Sequence, residues 1–244
     1  MNQIESFQKE VEQSIDAACA DEEFIGISRA WFEKSVTHRY PYNFTWMGIP
    51  IIQYPQDIIA MQELVFMTKP DLIIETGVAH GGSLVFYASM LELLGEGGRV
   101  AGIDIDIRKH NRERLERHPM YSRITLIEGS SIGEETVNTA YKLAEGCRNP
   151  LVILDSLHTH EHVSAELMAY SPLIGIGGYI VVFDTIIEEM PGYFYADRPW
   201  AVGNNPKTAV EEFIADSDSF IVDDSFDRKL LLTTCPGGIL RRVK

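Results

Sequence analysis

The stretch Asp71-Leu72-Ile73-Ile74-Glu75-Thr76-Gly77-Val78-Ala79-His80-Gly81-Gly82-Ser83 runs from a short apolar segment into a glycine-rich turn, and an apolar-periodic segment follows from Ser83 to Leu94 until Gly95 and Gly97-Gly98 break it. Strand, turn and helix in that order make the first half of a βαβ unit. The alternation then repeats. Val100-Ala101-Gly102-Ile103 leads into a charged helix around Arg108 to Arg117, and Ile124-Thr125-Leu126-Ile127 into a helix from about Ile132 to Ala144. Leu151-Val152-Ile153-Leu154 precedes a helix from about Glu161 to Tyr170, and Tyr179-Ile180-Val181-Val182-Phe183 is a fifth run. Continuous apolar strands separated by helices belong to a parallel sheet covered on both faces. Right-handed crossovers make that α/β sheet doubly wound.

Outward from this core the pattern loosens. The first 40 residues read as helical, with Val11, Ile15 and Ala18 on one face and a second apolar cluster at Phe24, Ile27, Trp31 and Phe32. Tyr40 to Pro55 is rich in proline and aromatics (Tyr42, Phe44, Trp46, Tyr54) and too irregular for a helix. Pro55 and Asp57 open an amphipathic helix, Ile58 to Met67, that stops before Pro70. Towards the C-terminus, Asn204-Asn205-Pro206 supplies a cap and a first-turn proline for a helix to about Ala215. Phe220-Ile221-Val222 and Leu230-Leu231-Leu232-Thr233 are expected to pair across the polar turn Asp223 to Lys229, and a last short strand follows Gly237-Gly238. The sheet would then end in an antiparallel edge.

Composition narrows the partners. Lys and Arg total 21 against 36 Asp and Glu, a net charge of -15 at pH 7. Such a surface repels phosphate backbones and anionic lipid, so nucleic-acid and membrane partners are not expected. No apolar run approaches the roughly 20 residues of a bilayer span. Met1 to Glu12 is polar and acidic, unlike a targeting leader. Cys19, Cys147 and Cys235 are odd in number, far apart and in no CxxC pair, which fits neither a disulfide framework nor a zinc site. A cytoplasmic protein is expected.

Ligands of open α/β sheets bind at the carboxyl ends of the strands, so the residues after each apolar run are the candidates. Glycines 77, 81 and 82 allow close backbone approach, but their spacing is neither the G-x-G-x-x-G of a dinucleotide site nor a P-loop. Asp104, ending the second strand, is placed to accept hydrogen bonds from a ribose diol; Asp106 fits a helix N-cap better. Glu128-Gly129-Ser130-Ser131, ending the third, could meet a base edge or form a capping turn. The three turns together describe a pocket for an adenosine without a long phosphate tail. Asp155 and His158 follow the fourth strand and Asp184 the fifth, where paired carboxylates can share a hard divalent cation and a histidine can serve as general base. His160 and His162 read as helix-face residues rather than ligands.

In order, Glu75-x-Gly77-x-x-x-Gly81-Gly82-Ser83, Gly102-Ile103-Asp104 and Glu128-Gly129-Ser130-Ser131 resemble the S-adenosylmethionine site of class I methyltransferases. Leu154-Asp155-Ser156-x-His158, Tyr179-Ile180-Val181-Val182-x-Asp184-Thr185, Gly238-Ile239-Leu240-Arg241-Arg242 and Trp46-x-Gly48-x-Pro50 narrow the resemblance. They are similar to the family named after cephalosporin hydroxylase, which includes the cephamycin-pathway methyltransferase and sugar O-methyltransferases. The likeness covers about residues 40 to 244. It implies a Rossmann-like methyltransferase domain over 56–244, preceded by a helical extension and aromatic cap segment over 1–55. It also implies S-adenosylmethionine-dependent O-methylation of a hydroxyl on a small molecule, a sugar or natural product.

By the same resemblance Glu75, Gly77, Gly81 and Ser83 line the methionine end of the cofactor, Asp104 holds the ribose, Gly129 and Ser130 border the adenine, and Asp155 completes the cofactor site. Asp155 and Asp184 match positions where this family, like catechol O-methyltransferase, places Mg²⁺ ligands. The position before Asp184, acidic in the cephamycin-pathway enzyme, is Phe183, which cannot ligate a metal. A weaker Mg²⁺ site, one rearranged to use Glu188, and no metal are the three arrangements left. His158 is read as the base or as the group orienting the acceptor, with Asp155 and Asp184 holding Mg²⁺ or the acceptor hydroxyl. Tyr40 to Tyr54 and Glu188 to Asn205 (Tyr193, Phe194, Tyr195, Trp200) either roof the acceptor pocket or pack against core or a sibling subunit. A homo-oligomer is expected from the apolar faces of the N-terminal helices. The alternatives are a nicotinamide-dependent oxidoreductase and a non-catalytic cofactor-binding relative.

Overall fold

In a computed structural model describing residues 2–244, α1 (Gln3–Ala20) and α2 (Glu22–Thr37) lead the chain. Asn2 and Glu5 exchange side-chain-to-backbone hydrogen bonds at 2.9 Å, a capping box that fixes the start of α1. The apolar faces expected here are mostly open. No residue of α1 is buried, and of the α2 cluster Phe32 is buried while Phe24, Ile27 and Trp31 are exposed. Cys19 Sγ reaches the Arg228 carbonyl at 3.0 Å and Arg228 pairs with Asp16, which ties α1 to the C-terminal region.

The aromatic segment forms a small antiparallel hairpin, β1 (Thr45–Trp46) and β2 (Ile49–Pro50), before α3 (Pro55–Thr68), whose first-turn proline needs no hydrogen-bond partner. The regular alternation follows: β3 (Leu72–Thr76), α4 (Gly82–Leu94), β4 (Arg99–Asp104), α5 (Lys109–Glu116), β5 (Ile124–Glu128), α6 (Glu134–Ala144), β6 (Pro150–Leu154), α7 (His160–Tyr170), β7 (Tyr179–Val182) and α8 (Pro206–Asp216). The chain ends in β8 (Phe220–Val222), α9 (Ser225–Leu230) and β9 (Ile239–Arg242).

Seven strands make one sheet in the order β5-β4-β3-β6-β7-β9-β8, parallel except around β9. Side chains alternate across it as the pleat requires. Ile73, Val100, Leu151 and Val181 face a core shared with Met61 and Leu64 of α3 and Leu84 and Leu91 of α4. Leu72, Ile74, Val152 and Ile180 face Ala140 of α6, Leu167 of α7 and Ala209 of α8 on the other side. Strand order reverses between β3 and β6, which pair at Ile73↔Leu151. A crevice opens there at the carboxyl ends.

Two sequence expectations are corrected. The antiparallel edge exists, but β8 pairs with β9 rather than with residues 230–233. Asp223 Oδ1 accepts from the Ser225 amide and hydroxyl at 3.2 and 2.6 Å, turning the chain into α9 where a hairpin turn was expected. Thr233 and Thr234 are then held by the buried carboxylate of Asp57, off the sheet. Asp106 is not a helix cap: α5 begins after Arg108, and the Asp106 amide instead donates to Asp104 Oδ1 at 3.0 Å.

Candidate active site

A cavity of about 1060 Å³ occupies the carboxyl edge of the sheet. Its floor begins at the turn after β3. Gly77 sits at φ +90°, and a Cβ there would lie 2.0 Å from the Asp155 carbonyl oxygen, so the two strand ends on either side of the crevice approach as only glycine permits. Gly82 opens α4 under the same constraint, its absent Cβ falling 2.2 Å from the Pro50 carbonyl oxygen of the hairpin. Asp104 braces the turn: Oδ2 accepts from the Val78 and Ala79 amides at 2.9 and 3.2 Å. Oδ1 accepts from the Asp106 amide at 3.0 Å, and since a carboxylate has about four lone-pair sites, one on Oδ1 remains for a ligand hydroxyl.

Glu75, next to last in β3, is fully buried. Its Oε2 accepts from the Ser83 hydroxyl at 2.7 Å, and its Oε1 has no partner among the described residues. Burial pushes its carboxyl up to about 8, against the pull of the Ser83 hydrogen bond. An orphaned buried carboxylate oxygen lacks a cationic or hydrogen-bonding partner, and an amino-acid ammonium is one that fits.

The other end of the cavity carries three groups from two strand ends. Asp155, His158 and Asp184 each bring one ligand atom within 4.8 Å of the others. His158 Nε2 lies 3.1 Å from Asp184 Oδ2, and its ring meets Trp200 edge-to-face at 4.8 Å. Burial, and next the charge of Asp184, hold the Asp155 carboxyl well above the usual range. Asp184 itself takes a left-handed φ of 58°, which costs a non-glycine residue on the order of 1 kcal/mol and is typical of functional sites. Two carboxylates that repel one another suit a divalent cation bound through oxygen. Phe183 contributes nothing to such a site, being packed in the core at 1% exposure. Nor does Glu188, whose Oε2 accepts from the Gly203 amide and the Asn205 side chain and so anchors the loop before α8.

Most residues anticipated from sequence meet here. Gly77, Gly81, Ser83, Asp104, Ser130, Asp155, His158 and Asp184 line the cavity, Gly129 precedes the lining Ser130, and Glu75 sits behind the wall, joined to it by the Ser83 hydroxyl. The roof is built from both expected segments: Tyr42 and Ile51 to Tyr54 on one side, Phe194, Tyr195 and Trp200 on the other. Phe44 and Trp46 pack against the core instead, and Tyr193 is exposed. Sequence reasoning missed Gln53, whose side-chain amide donates to Asp155 Oδ2 at 3.4 Å, because nothing local marks it. It also missed Ile105, exposed at the cavity beside Asp104. Glu166 did carry a signal, a charged residue on the stripe Val163, Leu167, Tyr170 that α7 buries.

A sheet of this order, with a glycine turn after the central strand and an acidic residue ending its neighbour, defines a class I methyltransferase fold. Within that class, this chain belongs to the family described as rhamnosyl O-methyltransferase/CmcI, whose sequence model matches residues 38–243. It is 30% identical over 206 residues to a rhamnosyl O-methyltransferase of Mycobacterium tuberculosis (strain H37Rv), covering 81% of this chain and 78% of that protein. A rhamnosyl O-methyltransferase of Mycobacterium leprae (strain TN) is 30% identical over 161 residues, covering 63% and 68%. Among solved structures, an apo form of CmcI superimposes with a TM-score of 0.61 at 24% identity, covering 83% of this chain and 77% of that one. CmcI with Mg and SAM gives 0.57 at 23% identity, covering 83% and 78%. These two likenesses concern the fold.

Proposed function

We propose that this chain is an S-adenosylmethionine-dependent O-methyltransferase acting on a hydroxyl of a small molecule, with a sugar as the acceptor class. The observation that carries the reading is one cavity with two differentiated ends: the braced glycine turn with Asp104 and Ser130, and the Asp155, His158 and Asp184 trio. Family membership and the rhamnosyl O-methyltransferase relatives support the sugar acceptor. The glycine spacing and the family speak against a nicotinamide site, and the presence of the trio speaks against a non-catalytic relative.

When bound, S-adenosylmethionine supplies an electrophilic methyl group. Glu75, Gly77, Gly81 and Ser83 would hold its amino-acid end, Asp104 its ribose, and Gly129 and Ser130 its base, with Asp155 beside the reacting centre. Asp184 orients His158 through Nε2, which leaves Nδ1 to take the proton of the acceptor hydroxyl, the same division of labour as a carboxylate-oriented histidine base. Asp155 and Asp184 are the residues that would hold Mg²⁺, which lowers the pKa of a bound hydroxyl. The aromatic roof excludes water and positions the acceptor, and positioning contributes most of the rate of an in-line transfer.

Cytoplasmic residence and a homo-oligomer belong to the same proposal. Among the described residues no helix is long and apolar enough to cross a membrane. The exposed Ile4, Phe7, Val11, Phe24 and Ile27 of the first two helices favour a second copy as partner. Sedimentation velocity should give a dimer or larger species that Phe7→Glu shifts towards monomer; a monomeric wild type would remove the oligomer.

The reading is tested by calorimetric titration of the cofactor-free protein with S-adenosylhomocysteine, with and without Mg²⁺. Micromolar binding lost in Asp104→Ala is expected. A folded sample that does not bind would sink the cofactor assignment.

A further inference from the structure

The inner face of α7 carries a second polar constellation that the chemistry at Asp155 and His158 does not use. Glu166 is 0% exposed on a stripe otherwise given to core residues. Its Oε1 accepts from the Ser156 hydroxyl at 2.7 Å and lies 3.4 Å from His162 Nε2, while its Oε2 is buried without a partner. The same His162 Nε2 is 3.0 Å from Ser131 Oγ, and the Ser131 carbonyl accepts from the buried Tyr170 hydroxyl at 2.6 Å. A leucine at 166 would complete the apolar stripe and remove the bare oxygen, at the cost of the acceptor for the Ser156 hydroxyl. What the glutamate adds is a fixed proton on its neighbour. A carboxylate oxygen has only lone pairs to offer and the Ser131 hydroxyl can accept as well as donate, so a hydrogen on Nε2, donated to Ser131 Oγ at 3.0 Å and facing Glu166 Oε1, suits both neighbours; in the neutral ring the other nitrogen, Nδ1, is left as an acceptor.

That acceptor has somewhere to act. His162 lines the cavity together with Ser130, Ser131 and Leu157, at the carboxyl ends of β5 and β6. Its Nδ1 makes no hydrogen bond to any described residue and is not among the polar atoms sealed in the interior. We infer that His162, with its tautomer set by Glu166, reads the nucleobase of the cofactor, its Nδ1 accepting from the exocyclic amine of a 6-aminopurine. His162 is then a specificity-determining residue, and Glu166 a positioning residue that acts through it. The inference rests on the proposed S-adenosylmethionine site, whose base end is the region around Ser130.

The sign of the discrimination encodes the tautomer. A purine bearing a 6-oxo group presents an acceptor where adenine presents a donor, and would meet a lone pair at Nδ1. Calorimetric titration of the full chain with S-adenosylhomocysteine and with S-inosylhomocysteine measures the preference. Wild type should favour the adenosyl compound by about tenfold or more, the worth of one hydrogen bond lost to an opposed acceptor. His162→Phe, which keeps an aromatic ring in place, should bring the ratio close to one. Glu166→Leu, which keeps His162 but frees its tautomer, should give an intermediate ratio, with the loss in KM for cofactor rather than in kcat. Thermal unfolding of both variants verifies that they are folded. Wild type that binds the adenosyl compound without preference, or His162→Phe with an unchanged ratio, overturns the role of His162. Glu166→Leu with the wild-type ratio overturns the role of Glu166. In each case the methyltransferase reading stands; binding of neither compound would sink that reading itself.

Discussion

At the scale of single residues, Glu75 makes the sharpest prediction. Its carboxyl is held at about 8 by burial, so at neutral pH it is largely protonated in the free protein. An ammonium arriving at its bare Oε1 favours the ionised form, and the proton must leave. Binding of S-adenosylhomocysteine near pH 7 should therefore release up to one proton, read as an apparent enthalpy that differs between buffers of different ionisation heat. Glu75→Gln should abolish the difference, and equal enthalpies for the wild type would contradict the pairing. His158→Ala should lower kcat by about 10²–10⁴, the usual worth of a general base, with partial rescue by added imidazole. Turnover close to wild type would remove the base assignment. These residues were legible because chemistry in such a sheet collects where apolar runs stop, and Asp104, Asp155 and Asp184 each follow one. Gln53 and Ile105 were not, since a residue is recruited to a cavity by packing between distant segments that no local pattern records.

At the scale of elements, α3 and the segment before β9 are joined by one side chain. Asp57, in the first turn of α3, accepts from the Thr233 hydroxyl and from both the amide and hydroxyl of Thr234. Asp57→Ala removes the acceptor of the buried Thr233 hydroxyl and of the partly buried amide and hydroxyl of Thr234, and a loss of about 2–4 kcal/mol is expected in urea unfolding. A loss under about 0.5 kcal/mol would show that water replaces the carboxylate. This link also explains which elements the sequence conveyed. The five parallel strands and their helices are encoded by period, and each lies where the apolar runs put it. Residues 230–233 have strand-like composition, but the partner that decides their path lies more than 170 positions earlier in the chain.

At the scale of the whole molecule, buried acids shape the response to pH. Burial raises Glu75 to about 8, Asp57 to about 6 and Asp155 well above its ordinary value. In the unfolded chain these groups ionise near 4. As pH rises from about 4 to 8, the unfolded state gives up protons that the fold retains, so stability falls across that window. Growing repulsion in a chain already at -15 acts in the same direction. Thermal midpoints should drop between pH 5.5 and 8.5 at constant ionic strength, and a rise would contradict the burial of these carboxyls.

The reversed edge of the sheet has a consequence for biosynthesis. Strand β8 is translated before β9 yet, among the described residues, pairs with no strand other than β9, which lies between it and β7. As the nascent polypeptide leaves the ribosome, the five parallel strands can assemble in the order they emerge. Phe220 to Val222 must then wait, with β7 still a bare border, until Ile239 to Arg242 arrive. Over that interval the newborn protein exposes two unsatisfied strand edges, the kind of surface that chaperones shield and that neighbouring chains on a polysome can seize.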